Sequence, residues 1–189
     1  MKLVLLGDGE HARVVAEAAA AAGWQVVNRL ERDQEARLAD LLAAGAQVHL
    51  AIGANGARRA AAARLGALPW AAIVHPRAIV SPSATIAPGA CIGAGAVIQA
   101  GASVGAHAVV NSGAVVEHDC VLGACCHVAP GAVLGGGVSV GCGALIGLGA
   151  RVRDHVPVGD NAVVGMGAVV VRAVAAGRTV VGVPARERP

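Results

Sequence analysis

From Val80 onward the chain repeats itself every six residues. Val80, Ile86, Ile92, Ile98, Val104, Val110, Val116, Leu122, Val128, Leu134, Val140, Ile146, Val152, Val158, Val164 and Val170 stand at that interval, and all sixteen are aliphatic. Two residues before each comes a small residue or a Val, from Ala78 and Ala84 through Cys120 and Cys126 to Ala162 and Ala168. Gly often follows the aliphatic residue, as at Gly93, Gly105, Gly123, Gly135, Gly141, Gly147, Gly159 and Gly165. Neither an α-helix nor a plain strand has a period of six. A short strand followed by a corner does, with the small and the aliphatic residue on the same side of the strand. Three such strands close a triangular coil of 18 residues, and stacked coils bury an aliphatic prism. Each strand then pairs in parallel with its counterparts above and below. The sixteen hexads predict a little over five coils. A Gly/Ala-rich low-complexity tract does not place an aliphatic residue correctly sixteen times in succession.

The pattern before Val80 is different. Residues 3–6 read as a buried strand, followed by Gly7-Asp8-Gly9-Glu10-His11-Ala12 and a helical stretch from Arg13 to about Ala22. Gly23 stops that helix. Trp24–Val27 reads as a second strand, Glu35–Ala44 as a helix and Val48–Ile52 as a third strand, which completes a βαβαβ unit. A turn at Gly53-Ala54-Asn55-Gly56 leads to a last helix over Arg58–Leu65. The expected organisation is a Rossmann-like domain over 1–73, a parallel β-helix over 74–171 and a C-terminal tail over 172–189.

Composition narrows this further. The chain has 27 Gly, no Phe, no Tyr and two Trp, so Val, Ile, Leu and Ala must fill a narrow, regular interior. A net charge of +3, with no basic run interleaved with aromatics, gives no ground for a nucleic-acid partner. No apolar run is long enough to span a membrane free of charges and turn residues. The apolar stretch at Met1–Leu6 is too short for a secretory leader and ends in an acidic, Gly-rich turn. Five Cys form neither a CxxC pair nor a disulfide-like framework, which fits reduced thiols in the cytoplasm.

Gly7-x-Gly9-x-x-Ala12 matches a nucleotide-binding loop, in which a phosphate approaches a helix N-terminus. For a dinucleotide, an acid should end the second strand. Asn28 stands near that place and Glu31 comes a turn late, and about seventy residues hold only half of a dinucleotide fold. A mononucleotide or nucleotide-sugar fits better; the alternative is a docking domain that caps the coils.

Of the seven His, His118 and its neighbour Asp119 fall on a corner, pointing outward. One coil further lies Gly136, whose backbone should sit one strand spacing from His118, placing a base beside a possible oxyanion donor. His127 is half a coil from His118. The two therefore face different sides of the prism and share a site only if another subunit supplies one of them. His107 and His155 read as exposed corner residues. Cys120 and Cys126 fill small inward slots and Cys125 points outward. Arg172, Arg178, Arg186 and Arg188, at or past the end of the coils, suit phosphate.

The run Asn111-Ser112-Gly113-Ala114-Val115-Val116-Glu117-His118-Asp119-Cys120, continuing through Cys126-His127-Val128 to Pro130-Gly131, resembles the sialic-acid O-acetyltransferase and UDP-4-amino-sugar N-acetyltransferase family of hexapeptide-repeat acyltransferases. The likeness extends to Gly7-x-Gly9-x-His11, Ala51-Ile52-Gly53-Ala54-Asn55, His75-Pro76 and Val181-Gly182-Val183-Pro184-Ala185. It implies left-handed coils, where the general preference for right-handed crossovers would point the other way. It implies a sugar N- or O-acetyltransferase that uses acetyl-CoA as co-substrate, without metal, by direct transfer. His118 is then the general base, Asp119 orients it, and the backbone at Gly136 meets the acyl oxygen. His127, Gly135, Gly136, Arg178 and Pro184 fall on the acetyl-CoA side. Gly7, Gly9, His11, Gly53, Asn55, Arg58 and Asn111 fall on the acceptor side. Where relatives carry an Asp pair after the second strand, this chain has Asn28-Arg29-Leu30-Glu31. A homotrimer with its active site between subunits follows from the resemblance and from the half-coil argument. Two other classes compete. A zinc β-helix enzyme needs three converging His, and no two His here stand five apart as that family requires. A non-catalytic trimeric stalk leaves the His118-Asp119 pair without a purpose.

Overall fold

The computed structural model describes residues 1–188. Strand β1 (Lys2–Leu6) is the centre of a three-stranded parallel sheet, flanked by β2 (Gln25–Leu30) and β3 (Gln47–Leu50). Its near-continuous aliphatic run Leu3-Val4-Leu5-Leu6 is buried on both faces, as a central parallel strand requires. On one face α1 (Glu10–Ala21) lays Val15 and Ala19 against Leu3 and Leu5. On the other, α2 (Leu38–Ala43) and α3 (Asn55–Leu65) pack Leu38 and Ala61 over Val4, Leu6 and Val48. The helices that follow β1 and β3 thus leave on opposite faces, and their loops diverge at the carboxyl ends of the strands. Gly7 is required at this opening. Its φ is +106°, and a Cβ there would lie 3.1 Å from the Ala51 carbonyl oxygen. The expected helix at Glu35–Ala44 is broken into a 3-10 turn, Arg32–Arg37, and the short α2. Glu31 caps that turn reciprocally with Gln34, which takes it out of consideration as a ribose ligand.

From Ile73 the chain forms a left-handed parallel β-helix. Val109 pairs with His127, Val115 with Val133 and Val121 with Ser139, each exactly one 18-residue coil apart. The three faces carry eight, six and five strands. The inward ladder from Ile92 to Val170, with its small partners, forms one continuous core in which Cys120 and Cys126 are fully buried. The coils begin one hexad before the repeat that is obvious in the sequence, at Ile73–Val74. At the other end the pairing interval shortens to sixteen residues, as Val158 bridges Val174 and Val164 pairs with Val180. Within the stretch read as a tail, Thr179–Val181 still extends one face, and Arg186–Glu187 folds back antiparallel onto it.

The corners share one conformation. From Gly89 to Gly167 the third corner residue has positive φ, usually as Gly, but His107, Asp119, Cys125, His155 and Asn161 hold it with side chains. For residues other than Gly this costs about 1 kcal/mol or more each.

The front domain sits on the first face of the prism. Cys91 and Val109, which point outward from the coils, join the cluster formed by Leu3, Leu5 and α1. Along that ladder His127 is next, under the edge of the front domain.

Candidate active site

His118 and Asp119 occupy the corner between the second and third faces, and both side chains are open to solvent, at 59% and 74%. His118 Nδ1 lies 2.9 Å from Asp119 Oδ2. An exposed pair of this kind adds little to stability, yet Asp119 accepts a left-handed backbone to make it. The carboxylate can only accept, so Nδ1 carries the proton and Nε2 presents its lone pair. That atom lies over Gly136 of the next coil, where a Cβ would come within 2.5 Å of it. Gly136 is thus the residue that leaves room for the ring. Its N–H has no backbone partner among the described residues, and its carbonyl accepts from His155. Gly135 accepts from the Cys120 thiol at 3.2 Å. The bond to Asp119 is the main reason the His118 pKa is raised above its ordinary value, with the charges of Asp119 and Glu117 adding to it. The arrangement is a solvent-facing, carboxylate-oriented base next to a free backbone N–H.

His127 lies in the opposite environment, on the first face where the front domain ends. Asn111 Oδ1 accepts the Ser112 N–H at 2.8 Å, which turns its amide nitrogen toward His127 Nε2 at 3.2 Å. His127 Nε2 therefore accepts, and its proton sits on Nδ1. Burial, reinforced by the Arg58 charge, pushes the His127 pKa down to about 4. The His11 ring is 6.3 Å away. His11 is likewise lowered, by burial first and Arg58 second, and its Nε2 is buried without a partner. One cleft runs between α1 and the coils, lined by His11, Glu17, His75, Gly93, Asn111 and Ser112 among others. A second lies beside His127 and is lined by Gly53, Ala54, Asn55, Pro130, Leu145 and Leu148. His118 and His127 stand on different sides of the prism, and nothing within one chain joins them.

Two residues assigned to the acceptor side take a different role. Arg58 is only 1% exposed, and all of its nitrogens are engaged with protein. Asn55 donates to the carbonyls of Gly143 and Ala144 at 3.1 and 3.0 Å and accepts from Arg58. Arg58 keeps no free donor for substrate and is corrected to a strut between front domain and coils; Asn55 spends its amide nitrogen in the same way while still lining the cleft beside His127. Gly53 packs on the His11 side chain, where a Cβ would come within 3.4 Å of it. Two corner readings also change. His107 is buried, with its ring edge-on to Trp70 at 4.7 Å, and Cys125, although outward from the prism, is covered by the front domain. His155 is exposed as expected.

Gly7 lines a crevice at the carboxyl ends of the strands together with Leu30, Arg32, Glu35, Ile52 and the α3 residues Ala57, Ala60, Ala61 and Arg64, whereas Gly9 is the N-cap of α1 and does not line it. The Arg64 guanidinium grips the Glu35 carboxylate with two hydrogen bonds. Arg178 pairs with Glu187 at 3.0 Å at the far end of the coils. Arg172 and Arg186 line the same hollow as Arg178, and Pro184 lies in the adjoining turn. No three His, Cys, Asp or Glu converge to hold a metal, and no helix is long and apolar enough to cross a membrane, among the described residues.

A triangular hexapeptide coil with an α/β domain against one face and a carboxylate-held corner His defines a hexapeptide-repeat transferase. Residues 101–136 match the model of the bacterial transferase hexapeptide, six repeats. The structure is similar to that of PerB from Caulobacter crescentus in complex with CoA and GDP-perosamine. The match has 38% identity and a TM-score of 0.94, and covers 100% of this chain and 98% of that one. The same is true of a His-to-Asn variant of perosamine N-acetyltransferase from Caulobacter crescentus, at 37% identity and TM-score 0.94, covering 100% and 97%. The acetyltransferase domain of PglB from Neisseria gonorrhoeae, in complex with acetyl coenzyme A, is similar at 36% identity and TM-score 0.89, covering 99% and 98%. A comparison with curated protein sequences finds no match. The chain belongs to the hexapeptide-repeat transferase family and is a sugar acetyltransferase.

Proposed function

We propose that the protein transfers the acetyl group of acetyl-CoA to the amine of a nucleotide-linked 4-amino sugar, with His118 as general base. The single observation that carries the chemistry is the His118–Asp119 pair with its free Nε2 over Gly136. Nε2 takes the proton from the amine as it attacks the thioester carbonyl, Asp119 stabilises the imidazolium that forms, and the Gly136 N–H faces the developing oxyanion; the C–S bond then breaks and the imidazolium returns the proton to the departing CoA thiolate. His127, held neutral, and the hollow around Arg178 and Pro184 serve the acetyl-CoA side. The strand order β2-β1-β3, with helices leaving on both faces, is the flavodoxin-like rather than the 3-2-1 Rossmann order of a doubly wound α/β unit, and its switch point falls between β1 and β3. Such units take nucleotides at the carboxyl ends of the strands. The similarity to proteins bound to CoA with GDP-perosamine, and to acetyl coenzyme A, supports both substrates and puts a GDP-linked sugar first.

The active unit is a homotrimer. The front domain covers the first face of the prism, and the third is lined outward by Thr85, Ser103, Val121, Ser139 and Pro157. The second presents Ile79, Val97, Val115, Val133 and Val169, interrupted by Arg151, with no cover. An uncovered apolar ladder of this kind fits a subunit contact. Its two edges are the His118–Asp119 corner and the Asn111–Ser112 corner, so a neighbouring copy docked there brings its His118 toward the cleft of His11 and Asn111. The expected location is the cytoplasm, where acetyl-CoA is available.

The test is thiol release from acetyl-CoA against a panel of GDP- and UDP-linked amino sugars and free sialic acid, run with wild type and His118→Ala. Release with an amino-sugar nucleotide, lost in the variant, supports the assignment. Release with sialic acid alone replaces the amine by a hydroxyl.

A further inference from the structure

Arg58 is the most elaborately held side chain in the protein, and its bonds point in two directions. Nη1 donates to the carbonyls of Ile52 and Gly53, 2.8 and 3.0 Å away, in the loop that opens the front-domain crevice. Nε donates to the His107 carbonyl at 2.8 Å, and Nη2 donates to those of Cys125 and Cys126 at 2.9 and 3.2 Å, all in the coils. Cys126 immediately precedes His127. Nη2 also holds the Asn55 amide oxygen at 2.8 Å, and the Asn55 nitrogen reaches the Gly143 and Ala144 carbonyls. One short helix, α3, therefore grips the coils with Asn55 and Arg58, while Ala57, Ala60, Ala61 and Arg64 line the crevice at the strand ends. A guanidinium stripped of water and shared among five backbone carbonyls is geometrically stiff, because its planar fork cannot shift without losing several charge-assisted bonds together.

We infer that Arg58 is a positioning residue, which fixes the front-domain nucleotide crevice at a set distance from the coil that carries His127. This inference rests on the functional reading above, in which the crevice holds the nucleotide and the coils hold acetyl-CoA. Arg58 lines neither half-site, since the walls of the crevice are other front-domain residues and the coils close on their own ladder. What depends on Arg58 is their relation, and acyl transfer between two separately held substrates is sensitive to it. A displacement of about 1 Å costs on the order of 100-fold in rate.

The experiment uses the full chain with Arg58→Lys and Asn55→Ala. Folding is checked by circular dichroism and thermal unfolding, and binding of GDP and of CoA by calorimetry. Turnover is followed with acetyl-CoA and GDP-perosamine. The expected result for Arg58→Lys is a kcat lowered about 10- to 100-fold, with both dissociation constants within about threefold of wild type. Asn55→Ala, which releases only the outer part of the grip, falls less and in the same pattern, and it carries the test if Arg58→Lys does not fold. Arg59→Ala removes an exposed contact of the same helix with Asn161 and stays within about twofold. Undiminished kcat in the folded variants overturns the inference while leaving the functional reading intact. So does a dissociation constant weakened tenfold with kcat retained, which would make Arg58 or Asn55 a ligand. No turnover by the wild type with any nucleotide sugar overturns the functional reading, and this inference with it.

Discussion

His118 and His127 stand nine residues apart on the same repeat, and their surroundings drive them in opposite directions. At the open corner, the bond from Asp119 raises the His118 pKa. Under the edge of the front domain, burial and the Arg58 charge bring His127 down to about 4. One imidazole holds a proton more readily than a free histidine; the other stays neutral and offers a fixed N–H. The repeat places both, and a turn of half a coil with one docked domain decides which does what.

The largest expected effect breaks the comparison at its active end. His118→Ala should lower kcat by about 10²- to 10⁴-fold in the thiol-release assay while the protein remains folded, because the side chain is exposed. Asp119→Asn should lower plateau kcat by about 10- to 100-fold, since the amide neither fixes the Nδ1 tautomer nor stabilises the imidazolium. The pH profile sharpens the contrast. A base must be deprotonated to act, so kcat/KM should fall as pH drops through a His118 pKa lying above the ordinary 6.5. In Asp119→Asn that limb should move to lower pH, and no separate limb from His127 should appear above about pH 4.

The smallest effect concerns stability. His127 and the fully buried His49, whose Nδ1–H donates to the Ala71 carbonyl at 2.9 Å, are both held at about 4. Their folded pKa values lie below the unfolded value of about 6.5, so between those limits the unfolded chain binds more protons. Their contribution is complete above about pH 6.5 and is lost as pH falls toward about 4, at no more than roughly 1.4 kcal/mol per pH unit for each. Thermal unfolding across that range should show Tm falling with pH, with a shallower slope in His49→Leu. A flat Tm would mean that these rings are not held neutral by burial. His118, fully in solvent, should leave the slope unchanged.

Much of this molecule is legible in its hexads. A step of 18 residues from His118 lands on Gly136, and the structure puts the ring over that glycine. Asp119 could have been singled out on the same frame, since it stands in the corner slot where Gly is usual. The seam was not legible. Arg58 fell on the acceptor side through the family resemblance alone, with no pattern in the chain to place its side chain. Only the docking of α3 shows that five coil and loop carbonyls occupy it. His107 read as an exposed corner residue and Cys125 as outward; both point away from the prism, but the front domain buries that edge.

By itself the sequence determined the six-residue period, the inward and outward sense of each coil position, the order of strands and helices in the front domain, and the corner on which the base stands. These follow from local geometry, in which a side chain's direction is set by its place in the repeat. Tertiary structure alone decided which face is covered, which histidines are kept neutral and where the Arg58 bonds go. Those depend on contacts between segments 49 to 68 residues apart in the chain, which carry no period. The physical reason is that burial, which sets both pKa and hydrogen-bond demand, is a property of what packs against a residue and not of its neighbours in sequence.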